Sequence, residues 1–310
     1  MPPYSTEQGG FVACVAIARY ATVTLSIPED RADADAATRA PLERIPLAEV
    51  RLARAAMHRA GLSAASKPPL RLTITSDFPV GAGLGGSSAA GVAAIGAIAR
   101  YVGEPLDRAA LAERSRAMEV EDLRIAGGRQ DHYAAAFGGA LALCFDAATT
   151  VEQIPLAPAL ASRIERRCII LYTGESRISA TQITSVLDSY RRRDTSVMRA
   201  LAAMRELAKE MASALRESDL DSLGALVGVH WNHQRALHHS ISTPRIDALM
   251  RRAQDRGALG GKALGASGGG CVLIITPEDE DPRLRPALAE LATLLPFAID
   301  RDGFSILGNG

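Results

Sequence analysis

One glycine-dense stretch, placed where a strand hands over to a helix, limits the fold of this chain more than any other feature. Residues 79–91 read PVGAGLGGSSAAG, five glycines beside the adjacent Ser87 and Ser88. Upstream, Leu70, Leu72 and Ile74 alternate with Arg71, Thr73 and Thr75, the period of a half-buried strand ending near Pro79. Downstream, SSAAGVAAIGAIARYVG reads as a buried helix with the serines where an N-cap belongs. A helix start offers unpaired N–H groups and the positive end of a dipole, and glycines let a phosphate approach the main chain. A glycine turn that only lets strand and helix pack closely explains the same string, so the string alone leaves both readings open.

Two further loops bear on the choice. GGRQDHYAAAFGG, residues 127–139, sets Asp131 between a glycine pair and a helical alanine run, and GGKALGASGGGCVLIIT, residues 260–276, is a glycine-dense loop leading into a strand. Three such loops, with acidic residues between them, are hard to explain by packing alone.

Composition narrows the class. A chain of 310 residues can bury a large core. Formal net charge is zero, which argues against a polyanion such as nucleic acid as partner, and aromatics at 4%, with Trp231 the single tryptophan, argue against a base-stacking platform. Cys14, Cys144, Cys168 and Cys271 are scattered through apolar runs without a CxxC pair, which reads as buried free thiols in a reducing cytosol rather than zinc or redox sites. No signal-peptide pattern opens MPPYSTEQGG and no apolar run reads as a membrane span, so a cytoplasmic protein is expected. His230, His233, His238 and His239 do not match an HExxH helix, so zinc is not expected.

Along the chain two halves are expected, 1–150 and 151–310. The first holds a strand-like FVACVAIARYATVTL, a helical LAEVRLARAAMHRAGL, the glycine loop with its helix, and a helical DRAALAERSRAMEVED. ATTVEQIPLAPALASR is poor in pattern and reads as the crossing point. The second half has a strand RCIILYTG, three helices and a strand CVLIIT. Strands and helices alternating without a repeat argue for α+β or α/β lobes.

Taken as a set, PVGAGLGGSSAAG, GGRQDHYAAAFGG and GGKALGASGGG resemble the second motif, the catalytic-aspartate segment and the third motif of the GHMP kinases, named for galactokinase, homoserine kinase, mevalonate kinase and phosphomevalonate kinase. The wording GGRQDHYAAAFGG, YTGESR at 172–177 and Trp231 ahead of GGK are similar to the sugar-1-kinase branch that acts on D-glycero-D-manno-heptose 7-phosphate. The resemblance covers nearly the whole chain. It implies an α+β, two-lobed fold, with a ribosomal S5 domain 2-like N-terminal lobe, a ferredoxin-like C-terminal lobe and the active site in the cleft between them. Relatives usually open with a strand, a GGGTD segment, a PPY-type segment and a glycine pair, whereas this chain begins MPPYSTEQGG. That departure implies a start placed inside the true reading frame, or a lost strand and substrate-binding carboxylate.

The resemblance also implies roles. ATP and a magnesium ion are the expected cofactors, with Gly81, Gly83, Leu84, Gly85, Gly86, Ser87 and Ser88 around the phosphates and Gly268 and Gly269 packing beside that loop. Ser87, with Ser88 the near alternative, falls where the magnesium hydroxyl belongs, and Glu119, 12 residues before Asp131, where the magnesium carboxylate belongs. Glu121 and Asp122 are close enough to compete for that assignment. Asp131 would accept the acceptor hydroxyl's proton or orient that hydroxyl, and a helix N-cap role is compatible with this. Arg129 would neutralise phosphate or keep Asp131 ionised. Tyr4, Gly10, Thr173, Arg177 and Gly270 would line the sugar pocket, while Lys262 reads equally as phosphate ligand or surface lysine. The expected partners are ATP and a small sugar phosphate, with no nucleic acid, no membrane, and a homodimer left open. A free hexose such as fucose, an octose phosphate, or a catalytically dead binding relative stay open as alternatives.

Overall fold

The structure is a computed structural model that describes residues 3–27, 47–62, 70–79, 81–146, 148–175 and 179–308. The chain forms two compact units, each assembled from separated stretches: Met1–Ala18, Pro79–Leu84 and Gly138–Arg301 in the larger, Arg19–Phe78, Gly85–Phe137 and Asp302–Gly310 in the smaller. A single cut after residue 150 falls inside strand β5 (Thr149–Ile154), whose ladder to β4 (Ala140–Phe145) a boundary there would break.

In the larger unit, helix α1 (Tyr4–Gln8) leads into β1 (Gly10–Val15), which pairs antiparallel with β4, itself paired with β5. A second sheet is made of β6 (Cys168–Tyr172), β7 (Gly260–Ala263), β8 (Cys271–Ile275) and β9 (Thr293–Leu295), antiparallel in the order β7-β8-β6-β9. Counted along the chain, those strands stand second, third, first, fourth, the order of a βαββαβ unit, so this part has the expected ferredoxin-like topology. Helices α7 (Ser179–Arg191), α8 (Thr195–Arg216), α9 (Leu220–Ala236) and α10 (Pro244–Gln254) follow β6, and α11 (Leu284–Ala289) precedes β9. Asp194 and Asp219 cap α8 and α9 through backbone N–H groups of their first turns.

Ile169 and Leu171 of β6, Val272 and Ile274 of β8, and Trp231, Ile246 and Leu249 of the helices share one core. Leu249 is fully buried there, so Leu249→Ala is expected to destabilise the fold by about 2–5 kcal/mol, read as a lower denaturant midpoint with an unchanged slope.

In the smaller unit, β2 (Ala21–Ser26) pairs antiparallel with β3 (Arg71–Ser76), and α2 (Leu47–Arg59), α3 (Gly86–Val102), α4 (Arg108–Ala117) and α5 (Gln130–Phe137) accompany them. The small residues of α3 explain its burial: Gly91 lies against Ser115 and Met118, Gly96 against Phe304, and Val92, Ala94, Ile95 and Ile98 are all buried.

The structure departs from the sequence reading in three places. The strand expected across 11–25 is broken into β1 and β2, which belong to different sheets. The segment read as patternless holds β5 and α6 (Pro158–Arg167), the helix opening on Pro158, where a missing N–H costs nothing. Of the four cysteines, all free thiols, Cys168 and Cys271 are buried, but Cys14 and Cys144 are only half-buried on the β1–β4 pair. Burial pushes the Cys168 and Cys271 thiols up to about 12. Among the described residues, no helix is long and apolar enough to cross a membrane.

Candidate active site

Gly85, in the left-handed region at φ 77°, is the residue from which α3 starts, and its carbonyl accepts the first helical bond, from the Ala89 N–H at 2.9 Å. A side chain would be strained at that φ, and a Cβ there would also lie 3.0 Å from Cβ of Asp131. Gly86, Ser87 and Ser88 come before the first intrahelical acceptor can be reached, so their N–H groups are first-turn donors with no acceptor inside the helix. The serines are therefore not the N-cap: Gly85 holds that position and no side chain caps the helix.

Freed from capping, the serine hydroxyls turn to a carboxylate. Ser87 Oγ donates to Glu119 Oε1 at 2.8 Å and Ser88 Oγ to Glu119 Oε2 at 3.4 Å. His132 Nε2 meets the same Oε2 at 2.9 Å, and its Nδ1 lies 2.9 Å from Ser115 Oγ. Ser88, Ser115, Glu119 and His132 are all buried, whereas Ser87 is exposed. Burial would raise the Glu119 carboxyl, but the hydrogen bond and charge of His132, with the two serine hydroxyls, outweigh it and hold the group below the usual carboxylate range. Glu119 thus stays ionised at neutral pH in a polar, almost dry setting.

A π-helical turn over Met118–Asp122 accounts for this placement, closed by the Leu123 N–H to Met118 carbonyl bond at 3.1 Å. It directs Glu119 inward, while Arg59 of α2 pairs with Glu121 at 2.9 Å and with Asp122. The three acidic residues that the sequence could not separate are separated by that turn.

Asp131 lies one residue inside α5, in its first turn, where the helix dipole favours a carboxylate, and Gln130 Nε2 donates to its Oδ1 at 3.3 Å. Its carboxylate is packed against Gly85, so it adjoins the helix start that would hold a phosphate. Arg129, two residues before Asp131, pairs through its guanidinium with Glu113 at 3.5 Å. Glu113 also accepts from Tyr133 Oη and Arg116 Nε, both at 2.8 Å. Burial opposes ionisation of Glu113, but those donors and the Arg129 charge hold its carboxyl below the ordinary range. Arg129 thereby braces the start of α5.

The remaining predicted residues lie in the larger unit. Gly81 and Gly83 shape the front of the phosphate loop, Leu84 joins Ala82, Ile170 and Cys271 in an apolar cluster, and Gly86, across the junction, packs on Phe78 within the smaller unit. The third glycine loop is fastened to the front of the first: Cys271 N–H donates to Ala82 carbonyl at 2.7 Å, and a Cβ on Gly265 would stand 3.1 Å from Gly83 Cα. Gly268 N–H is already given to Ile241 carbonyl at 2.9 Å and Gly270 N–H to Glu175 carbonyl at 2.7 Å. Those two donors are spent inside the protein, and Gly269 packs on Glu175.

Four of the expected sugar-pocket residues have other employment. Thr173 Oγ1 donates to the Gly270 carbonyl at 2.8 Å and accepts from the Glu175 N–H at 3.2 Å, so both it and Gly270 secure the third loop. Gly10 pairs with Phe145 in the β1–β4 ladder and packs on Ser5. Tyr4 is buried edge-on against Tyr190, ring centroids 5.6 Å apart. Arg177 lies outside the described residues. Lys262 sits on β7, and its charge, after burial, helps push the His230 imidazole down to about 3.

His132, Ser115, Glu113 and Tyr133 were missed as site residues. His132 and Tyr133 stood in the open beside Asp131, but no spacing rule links them to residues on α4 and the π-turn.

A family model described as the GHMP kinases N terminal domain matches residues 49–139, and another, GHMP kinases C terminal, matches 211–292. D-glycero-alpha-D-manno-heptose 7-phosphate kinase of Campylobacter jejuni is 29% identical over 246 residues, 77% of this chain and 71% of that protein. Mevalonate kinase of Pyrococcus furiosus is 27% identical, over 76% of this chain and 69% of that protein. Among solved structures, a D-glycero-D-manno-heptose 1-phosphate kinase from Bacteroides thetaiotaomicron superposes with a TM-score of 0.73 at 20% identity, covering 99% of this chain and 94% of the other. A Lactococcus lactis galactokinase complexed with galactose gives a TM-score of 0.73 at 15% identity, with 98% and 90% covered. At such identities the structural likeness speaks for the fold.

Proposed function

The chain belongs to the GHMP kinases, a family of ATP-dependent phosphotransferases, and from that premise we propose that it phosphorylates the anomeric C1 hydroxyl of D-glycero-D-manno-heptose 7-phosphate, giving a 1,7-bisphosphate for nucleotide-sugar synthesis. The observation that carries the chemistry is the assembly at the start of α3: its first-turn N–H groups, the Ser87–Glu119 hydrogen bond, and Asp131 packed on Gly85. The acceptor rests on the name of the Campylobacter relative, supported by the GGRQDHYAAAFGG wording.

In this reading the N–H groups of Gly86, Ser87 and Ser88 receive phosphate oxygens, and Asp131 takes the hydrogen bond and then the proton of the attacking hydroxyl. A bond forms from the C1 oxygen to the γ-phosphorus, the bond from that phosphorus to the bridging oxygen breaks, and ADP leaves with the electron pair. Magnesium fits here: a buried, ionised carboxylate shares its oxygen with an exposed hydroxyl, a hard oxygen pair beside the anion site. Glu119 and Ser87 would hold the ion, which when bound neutralises phosphate oxygens. Among the described residues, no three His, Cys, Asp or Glu side chains form a metal cage, so phosphate and water would complete the coordination.

His132 orients Glu119 from behind, so His132→Ala is expected to raise the magnesium concentration needed for half-maximal rate about 10–100-fold, measured as initial rate against magnesium at saturating ATP. The reading itself is tested by ATP consumption with heptose 7-phosphate, fucose, galactose and mevalonate, with the product's phosphate located by NMR. Phosphate on C1 of the heptose supports it, and turnover of mevalonate alone removes the sugar acceptor.

A further inference from the structure

We infer that Gln182, Gln234 and Ser267 form a hydroxyl-reading subsite on the third glycine loop, which takes the polyhydroxy chain of the acceptor. The inference rests on the reading above in one respect, that the acceptor is a sugar. Three observations meet on the loop. Gln234, on α9 and 5% exposed, donates from Nε2 to the Gly265 carbonyl at 3.1 Å. That bond fixes the amide, since only its nitrogen can donate to a carbonyl, and the remaining Oε1 is buried without a partner among the described residues. Ser267, 7% exposed and held at φ 73°, likewise has a buried Oγ without a partner among the described residues. Gln182, on α7 and 3% exposed, packs so closely on the loop that a Cβ on Gly268 would stand 2.6 Å from its Nε2, and its Oε1 too has no partner among the described residues.

Buried polar atoms are almost always satisfied, because leaving them unpaired forfeits their hydration. Three unsatisfied oxygens around four consecutive loop residues, 265–268, point to a guest that supplies hydrogen-bond donors. Donors on and beside the loop tell the same story from the other side: Gly268 N–H and Gly270 N–H, and the hydroxyl of the neighbouring Thr173, are already committed within the protein. The two amide oxygens can only accept, while the Ser267 hydroxyl accepts or donates, so phosphate, an acceptor itself, would leave both amide oxygens unpaired. Alcohol groups, which donate and accept, are the right guest. The attachment of this loop to Ala82 and Gly83 places the subsite beside the front of the first glycine loop, within the same unit.

The experiment compares wild type with Gln182→Met, Ser267→Ala and the double variant, each of which removes an acceptor oxygen without touching the Gln234–Gly265 bond. Melting temperature, KM for ATP, KM for the sugar and the relative turnover of mono-deoxy sugar analogues are measured. The expected result is a sugar KM about 3–10-fold higher in each single variant, by the loss of one hydrogen bond, with KM for ATP unchanged. Wild type should discriminate against a deoxy analogue that the variant no longer distinguishes from the parent sugar. An unchanged sugar KM, with wild-type discrimination among analogues, means the oxygens bind buried water only and overturns the inference. A shift in the KM for ATP instead assigns the site to nucleotide and also overturns it. If wild type turns over a hexose but not the heptose phosphate, the heptose reading fails alone and the same variants are scored on the hexose. If no sugar is turned over, thermal shift of wild type by the sugar panel decides, and absence of any shift that the variants reduce sinks the subsite.

Discussion

Asp131→Asn is expected to lower kcat by about 10²–10⁴-fold while leaving the melting temperature and nucleotide affinity close to those of the wild type. The substitution keeps the size and shape of the side chain, so the contact with Gly85 survives. The amide still accepts the Gln130 hydrogen bond and suits the first turn of α5, although it loses the charge that the helix dipole favours. What it cannot do is take a proton from an attacking alcohol. Steady-state rates at saturating ATP and acceptor, with nucleotide binding by calorimetry, separate chemistry from binding. Full turnover by the variant would remove Asp131 from proton transfer and leave catalysis to the helix start and the Glu119 site.

Gly260→Ala is expected to destabilise the larger unit by about 3 kcal/mol or more, enough to leave little folded protein at modest temperature. Helix α9 lies on strand β7 through bare backbone: a Cβ on Gly260 would run into the Gly224 carbonyl and stand 2.9 Å from the Gly228 nitrogen. Neither neighbour is a flexible side-chain end. Relief would require lifting α9, which carries the buried Val227 and Trp231, off the sheet. Gly128→Ala is the control, because nothing lies within 4 Å of a Cβ there and the backbone is not left-handed. It should change stability by a few tenths of a kcal/mol. Equal midpoints for the two variants in chemical denaturation would show that the close approach of α9 to β7 is not needed.

Much of this was legible because it is local. The alternation from Leu70 to Thr75 and the glycines that follow are short-range signals, and the structure places β3 and the start of α3 there. The apolar runs RCIILYTG and CVLIIT gave β6 and β8, which lie side by side at the centre of the sheet. What could not be read was pairing over distance. FVACVAIARYATVTL has strand propensity throughout, yet the chain leaves one sheet and enters another within it, because the partners, Ala140–Phe145 and Arg71–Ser76, lie far along the sequence. Thr173 was expected in the sugar pocket because YTGESR resembles the corresponding segment of the sugar-1-kinases. Its hydroxyl is consumed by Gly270, almost a hundred positions later.

By itself the sequence determined the chemistry on offer: a strand, glycine loop and helix start fit for phosphate, acidic residues near Asp131, and strand–helix alternation that leaves α+β and α/β both open. Local steric and hydrogen-bonding preferences fix those features before any long-range contact forms. Only the tertiary structure decided which groups work together. The π-turn selects Glu119 over Glu121 and Asp122, Gly85 displaces the serines from the cap, and His132 and Ser115 close behind the carboxylate. Those choices depend on how buried polar groups find partners across separate elements, and burial, not sequence proximity, makes an unpaired group costly enough to enforce them.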